Sequence, residues 1–127
     1  MPSSRKIGIF GEKIAGNYLI KYKYQVLLKN HKEGFDEIDI VARDPEGTLI
    51  FCEVKTISKT PTGGSIFLPE DHLTRLKLKK LERSSQHFIS RHPSFLYGDM
   101  GWRIDLIAIT LSDFRVAKFS HYKNIEL

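Results

Sequence analysis

Thirteen residues separate Asp39 from the triplet Glu53-Val54-Lys55, and these side chains are the ones in the chain best suited to chemistry. Two carboxylates offer the hard oxygen donors that a small divalent cation prefers. A lysine two residues past the second carboxylate lies on the same face of a strand, where its ammonium could orient an attacking water or steady negative charge developing at phosphorus. The triplet alone is weak, since acid-x-Lys combinations arise by chance in a chain with 15 acidic residues, although this is the only one present. A plainer reading makes Asp39 and Glu53 a solvent-facing strand surface with Lys55 as neutraliser.

The residues around the triplet specify how it is held. Glu37–Ala42 and Leu49–Thr56 alternate as two strands around Asp44-Pro45-Glu46-Gly47. Asp, Pro and Gly at the first, second and fourth places suit a type I turn followed by a left-handed glycine. Such a loop sets Asp44 opposite Thr48, so residues whose numbers sum to 92 should pair. Ile38, Ile40, Ala42, Ile50, Cys52 and Val54 then share a core face. Glu37, Asp39, Val41, Leu49, Phe51, Glu53 and Lys55 take the other, with Asp39 opposite Glu53 and Glu37 opposite Lys55. Carboxylates so opposed, with Cβ atoms ~5 Å apart, repel each other. A bound cation would reverse that penalty.

Ser3 and Ser4 can cap a helix over about Arg5–Tyr22, in which Ile7, Phe10, Ile14, Tyr18 and Tyr22 form one stripe. Gly8, Gly11 and Ala15 lie on or beside it and allow close approach to a sheet, and Glu12 sits at its border. Tyr24–Lys29 reads as a first strand and Thr56–Ser65 as a loop. Pro69 opens a second helix reaching about Arg91, with an apolar stripe of Leu73, Leu76, Leu81 and Phe88. Trp102–Thr110 and Phe114–Phe119 complete an αβββαββ order, which implies an α/β fold with a mixed sheet flanked by helices.

The chain has 127 residues, 41% hydrophobic and 28% charged, a balance that suits a single globular domain over 1–127 and excludes a disordered profile. One cysteine, Cys52, excludes an intramolecular disulfide and an all-cysteine zinc site. No run approaches the ~18 apolar residues of a membrane span, so the expected location is cytoplasmic, with no membrane partner. The net charge of +5 is unevenly spread: residues 1–34 carry +5, 35–71 carry −5, 72–92 carry +5 and 93–127 balance. An acidic middle between basic segments suits a cation site beside a polyanion surface, and equally suits solvated faces.

Asp39 with Glu53-x-Lys55 resembles the PD-(D/E)xK nuclease motif, carried by the restriction-endonuclease-like core. The whole chain resembles the YraN family of small, largely uncharacterised bacterial proteins related to archaeal Holliday junction resolvases. The matching residues are Gly11-Glu12, Ala15, Tyr18-Leu19, Asn30, Glu37-Ile38-Asp39 and Phe51-x-Glu53-Val54-Lys55. Leu73-Thr74, Lys77, Arg103-Ile104-Asp105 and His121 match further on. The resemblance implies Asp39, Glu53 and the Val54 carbonyl as ligands of Mg²⁺ or Mn²⁺. It makes Lys55 the catalytic lysine and Glu12 an auxiliary acid. DNA, branched by analogy with the resolvases, is the implied partner, cut by a homodimer. Two departures stand out: Asp36 where the family usually has glycine, and Ile57 where it usually has arginine.

Other residues divide between roles. Lys77 interrupts the apolar stripe of the second helix and either snorkels outward or points over the acidic site towards a phosphate. Arg75, Lys79, Lys80 and Arg83 fan around the remaining faces as phosphate contacts or as solvated charge. Asp105 suits a structural pair with Arg103, Cys52 an inert core position, and Trp102 packing. The expected function is a metal-dependent endonuclease acting on DNA. Its rivals are a catalytically inactive nucleic-acid-binding module of the same fold and a protein-interaction domain.

Overall fold

The computed structural model of the protein describes residues 3–59 and 73–126. Helix α1 (Ser4–Lys21) starts at Ser3, whose hydroxyl accepts the Lys6 N–H at 3.2 Å, as an N-cap should. Strands β1 (Gln25–Glu33), β2 (Asp36–Arg43) and β3 (Leu49–Ser58) follow, then helix α2 (Arg75–Arg91), a single 3₁₀ turn at Pro93–Phe95, and strands β4 (Trp102–Ser112) and β5 (Arg115–Tyr122). The five strands form one sheet in sequential order, β1-β2-β3-β4-β5. Every neighbouring pair is antiparallel except β3 and β4, which run parallel because α2 lies in the crossover between them. This αβββαββ arrangement is compatible with the restriction-endonuclease-like fold anticipated from the sequence.

The hairpin register is the expected one over four pairs: Ile40 with Cys52, Val41 with Phe51, Ala42 with Ile50 and Arg43 with Leu49. The turn enforces it. Asp44 donates its N–H to the Thr48 carbonyl at 2.9 Å, its carboxylate accepts from the N–H groups of Glu46 and Thr48, and Gly47 takes φ +104°.

The sheet is covered on both faces. Ala15 and Leu19 of α1 pack with Ile40, Ala42, Ile50, Cys52, Val54 and Ile107. Leu78, Leu81 and Phe88 of α2 pack on the opposite side with Val41, Leu49, Phe51 and Ile104. That double burial explains the continuous apolar run at the start of β3. Ile38 corrects the simple alternation: it packs under α2, whereas Ile40 and Ala42 pack under α1. The change of face coincides with Asn30, which takes φ +49° at the place in β1 opposite Asp39 and interrupts the ladder between the Lys29–Ile40 and His31–Ile38 pairs. A local irregularity of this kind re-aims a side chain.

Other boundaries moved for identifiable reasons. β1 runs on to Glu33 because His31, Lys32 and Glu33 of its polar second half pair with Ile38, Glu37 and Asp36 of β2. β3 continues to Ser58 because Ile57 and Ser58 pair with Thr110 and Leu111, so the loop starts later than Thr56. α2 begins at Arg75, where the Thr74 hydroxyl accepts the Lys77 N–H at 3.2 Å. Pro69 lies outside the described residues. Leu76 is exposed, and Leu78 occupies the buried stripe instead. Tyr22, at the end of the α1 stripe, is also exposed.

Gly11 sets how closely α1 meets the sheet. A Cβ there would stand 1.8 Å from Thr56 Oγ1. Gly8, by contrast, has nothing within 4 Å and makes no such approach. The close contact at Gly11 brings its neighbour Glu12 towards β3.

Candidate active site

Pairing between β2 and β3 stops at Ile40 and Cys52, although both strands continue. Asp39 and Glu53 therefore do not form the ladder pair expected of them. Instead Asp39 Oδ2 accepts the Val54 N–H at 2.8 Å, so a side chain takes the place of a backbone acceptor where the strands part. Glu53 turns to Lys55, whose Nζ lies 3.3 Å from Glu53 Oε1. Both are half-buried.

The helices close the site from either side. Glu12 of α1 is half-buried, hydrogen-bonded to Asn30, and feels the charges of Glu37 and Glu53. Lys77 of α2, exposed, lines the same groove as Glu53 and Lys55 and lies beside Lys55. A groove of about 240 Å³ runs between β2, β3 and α2, lined by Asp36, Glu37, Glu53, Lys55, Lys77 and Lys80 among others.

The electrostatics follow from that crowding. Burial, followed by the Glu53 charge, pushes the Asp39 carboxyl up to about 8, against which the Val54 N–H works. Burial also raises Glu12, with Asn30 opposing and Glu37 and Glu53 adding to it. Burial disfavours the Lys55 ammonium, but Glu53, the contact with Lys77 and Asp39 outweigh it and hold Lys55 above the ordinary lysine value. Lys77 is lowered, first by its hydrogen bond with Lys55 and then by that residue's charge. A lysine that stays charged beside carboxylates that resist charging is an arrangement with functional character.

The donor set is one of hard oxygens: Asp39, Glu53 and the backbone of Val54, with Glu12 close by. Among the described residues, no group of three or more His, Cys, Asp or Glu side chains is arranged to hold a metal ion unaided. Hard oxygen donors of this kind suit a hard divalent cation better than a soft one, and they are too few for a closed structural site.

A comparison with known sequences is decisive at this point. The model of a family described as "Uncharacterised protein family UPF0102" matches residues 11–109. The chain belongs to the UPF0102, or YraN, family. A UPF0102 protein of Beutenbergia cavernae is 33% identical over 125 residues, covering 98% of this chain and 99% of its own length. One from Trichlorobacter lovleyi is 31% identical over 121 residues, covering 95% and 90%. One from Chlorobium phaeobacteroides is 34% identical over 117 residues, covering 92% and 86%. The UPF0102 match bears out the family resemblance read from the sequence.

The remaining basic candidates of this UPF0102 chain divide between the groove and the far side of α2. Lys80 lines the groove, and Arg83 borders an adjoining hollow with Phe35, Asp36 and Ser84. Arg75 and Lys79 are exposed and, at 100° per residue, stand on the side of α2 turned away from the groove. Asn30 is the residue that sequence reasoning left without a role. Its signal was a strand-averse side chain in the middle of a strand.

Asp105 is fully buried and structural, as anticipated. It receives Arg103 Nε at 2.9 Å, the Asn124 N–H at 3.0 Å and His121 Nε2 at 2.8 Å, and His121 Nδ1 in turn meets the Tyr18 hydroxyl. This chain ties β4, β5 and the tail to α1. Cys52 is buried, and Trp102 packs edge-on to Phe51. No helix among the described residues is long and apolar enough to cross a membrane.

Proposed function

We propose that the protein is a metal-dependent endonuclease that hydrolyses DNA phosphodiesters. The observation that carries this reading is the convergence of Asp39, Glu53 and Lys55 where β2 and β3 part, beneath Lys77 and Lys80 of α2. Two carboxylates held together against their repulsion serve little structural purpose, and a divalent cation would relieve them. Asp39, Glu53 and the Val54 carbonyl would hold it. When bound, Mg²⁺ or Mn²⁺ supplies charge stabilisation at phosphorus and acidifies a water for in-line attack.

The chain's own residues do the rest. Lys55, charged and fixed by Glu53, stands ready for the non-bridging oxygens as they gain charge. Glu12, oriented by Asn30, is an auxiliary carboxylate at the edge of the site. Lys77, Lys80 and Arg83 would hold the phosphate backbone without reading sequence. Branched DNA as substrate and a homodimer as the cutting species rest on the resemblance to resolvases.

The test is cleavage of labelled four-way junction, duplex and single-stranded DNA with Mg²⁺, Mn²⁺ or EDTA. Metal-dependent scission supports the nuclease and ranks its substrates. Salt-sensitive binding without scission under either metal would overturn it in favour of the inactive binding module.

A further inference from the structure

Phe35 is 108% exposed, whereas the next most exposed large apolar side chain among the described residues, Leu76, is 63% exposed. It sits at the tip of the β1–β2 hairpin, in a two-residue turn between the paired residues Glu33 and Asp36. Gly34 there takes φ +65° and supplies the backbone freedom the turn requires. Nothing in that geometry calls for an aromatic ring at the next position.

The tip is nevertheless held firmly on both sides. Glu33, 3% exposed, is gripped by His31 at 3.0 Å, by His87, and by Arg91 at 3.3 Å. Asp36 lies 2.9 Å from the Ser84 hydroxyl and 3.4 Å from Arg83. The structure therefore fixes an unpacked aromatic ring on a clamped support. Arg83 and His87 line the same hollow, together with Asp36 and Ser84. That hollow shares Asp36 and Ser84 with the groove holding Glu53 and Lys55, so the two are continuous.

We propose that Phe35 stacks on an exposed base face of DNA, at a gap or strand end, and thereby steers the protein to interrupted rather than continuous duplex. This deepens the nuclease reading and rests on its nucleic-acid partner. Lys77 and Lys80 of the adjoining groove suit the phosphates, and a rigid ring suits a base of any identity. In an intact duplex the base faces are stacked on one another and give the ring no partner.

The experiment measures affinity in EDTA, where no metal is available for cleavage, for a gapped duplex and for the same duplex closed by hairpin loops at both ends. Wild type is expected to prefer the gapped form by about tenfold, the scale of one base–aromatic stack. Phe35→Ala should lose that preference and keep the affinity for the closed duplex. Phe35→Trp should restore it, with tryptophan fluorescence changing on the gapped form alone. Because Phe35 is fully exposed and packs in neither core cluster of the described residues, both variants should keep the wild-type circular dichroism spectrum. DNA binding with the same preference in Phe35→Ala, or with equal losses on both forms, would overturn the stacking role and leave the nuclease reading standing. A Phe35→Ala variant that changes only the sedimentation of the protein would do the same and assign the ring to a contact between copies. Failure of wild type to bind either DNA would overturn both.

Discussion

Asp39 Oδ2 accepts the backbone N–H of Val54 at 2.8 Å, at the point where β2 and β3 cease to pair. The bond fixes the first carboxylate of the candidate site against the main chain of the segment that carries the second. A shift of the hairpin by one residue would break this contact and turn the acidic side chains to the opposite face. The Asp44–Gly47 turn, at the other end of the hairpin, is therefore part of what positions the site.

Gly11 and Gly8 make a matched pair for testing how α1 delivers Glu12. Gly11→Ala places a methyl 1.8 Å from Thr56 Oγ1 and must push the helix off β3. It should cost about 2 kcal/mol of stability and lower cleavage through Glu12. Gly8→Ala meets nothing and should stabilise the helix by about 0.5–1 kcal/mol. Chemical denaturation of the two variants beside wild type gives both signs in one experiment.

The acid limb of stability should report Asp105. Burial works against its charged form, but His121, Arg103 and the Asn124 N–H outweigh burial and hold its pKa below the ordinary aspartate value. A depressed carboxylate contributes fully above its unfolded pKa of about 3.9, and the contribution drains away as pH falls through the lower folded value. Asp105→Asn should cost about 3 kcal/mol near neutrality, because the buried contacts with Arg103 and His121 lose their charged acceptor and Arg103 keeps only Asp44 as an ion-pair partner. Its stability should also fall less steeply than that of wild type below pH 4, as read by denaturant titrations at stepped pH.

Lys55 and the helix cations should separate in kinetics. Lys55→Ala should lower the rate at saturating DNA by about 10²–10³-fold, the scale for loss of one preorganised group facing developing charge. Lys80→Ala and Arg83→Ala should leave that rate unchanged. Each should instead reduce the slope of log affinity against log salt by about 1. Single-turnover rates and salt titrations on the same DNA would distinguish them.

Much of this organisation was legible from residue type and spacing. The Asp-Pro-Glu-Gly turn specified a register that four pairs obey, and Glu53-x-Lys55 fell on one strand face as alternation requires. Alternation could not show that the ladder ends before Asp39, where β1 opposite it carries Asn30 in a left-handed conformation. Nor could it place Lys77, whose direction depends on where α2 begins. Thr74, a capping hydroxyl, decides that start, and Pro69 competed with it as a sequence signal. Glu33 is a similar case: a carboxylate in a polar run gives no hint that it will be buried until His31, His87 and Arg91 surround it.

The measurement that tests the central claim most directly is the single-turnover cleavage rate of Asp39→Asn against wild type with Mn²⁺. Asparagine can still accept the Val54 N–H and leaves the turn and both helices untouched, so the fold should persist. The nuclease reading predicts a loss of about a thousandfold with DNA affinity in EDTA unchanged. Cleavage by Asp39→Asn at the wild-type rate would contradict it, because the hydrolysis would then owe nothing to this site.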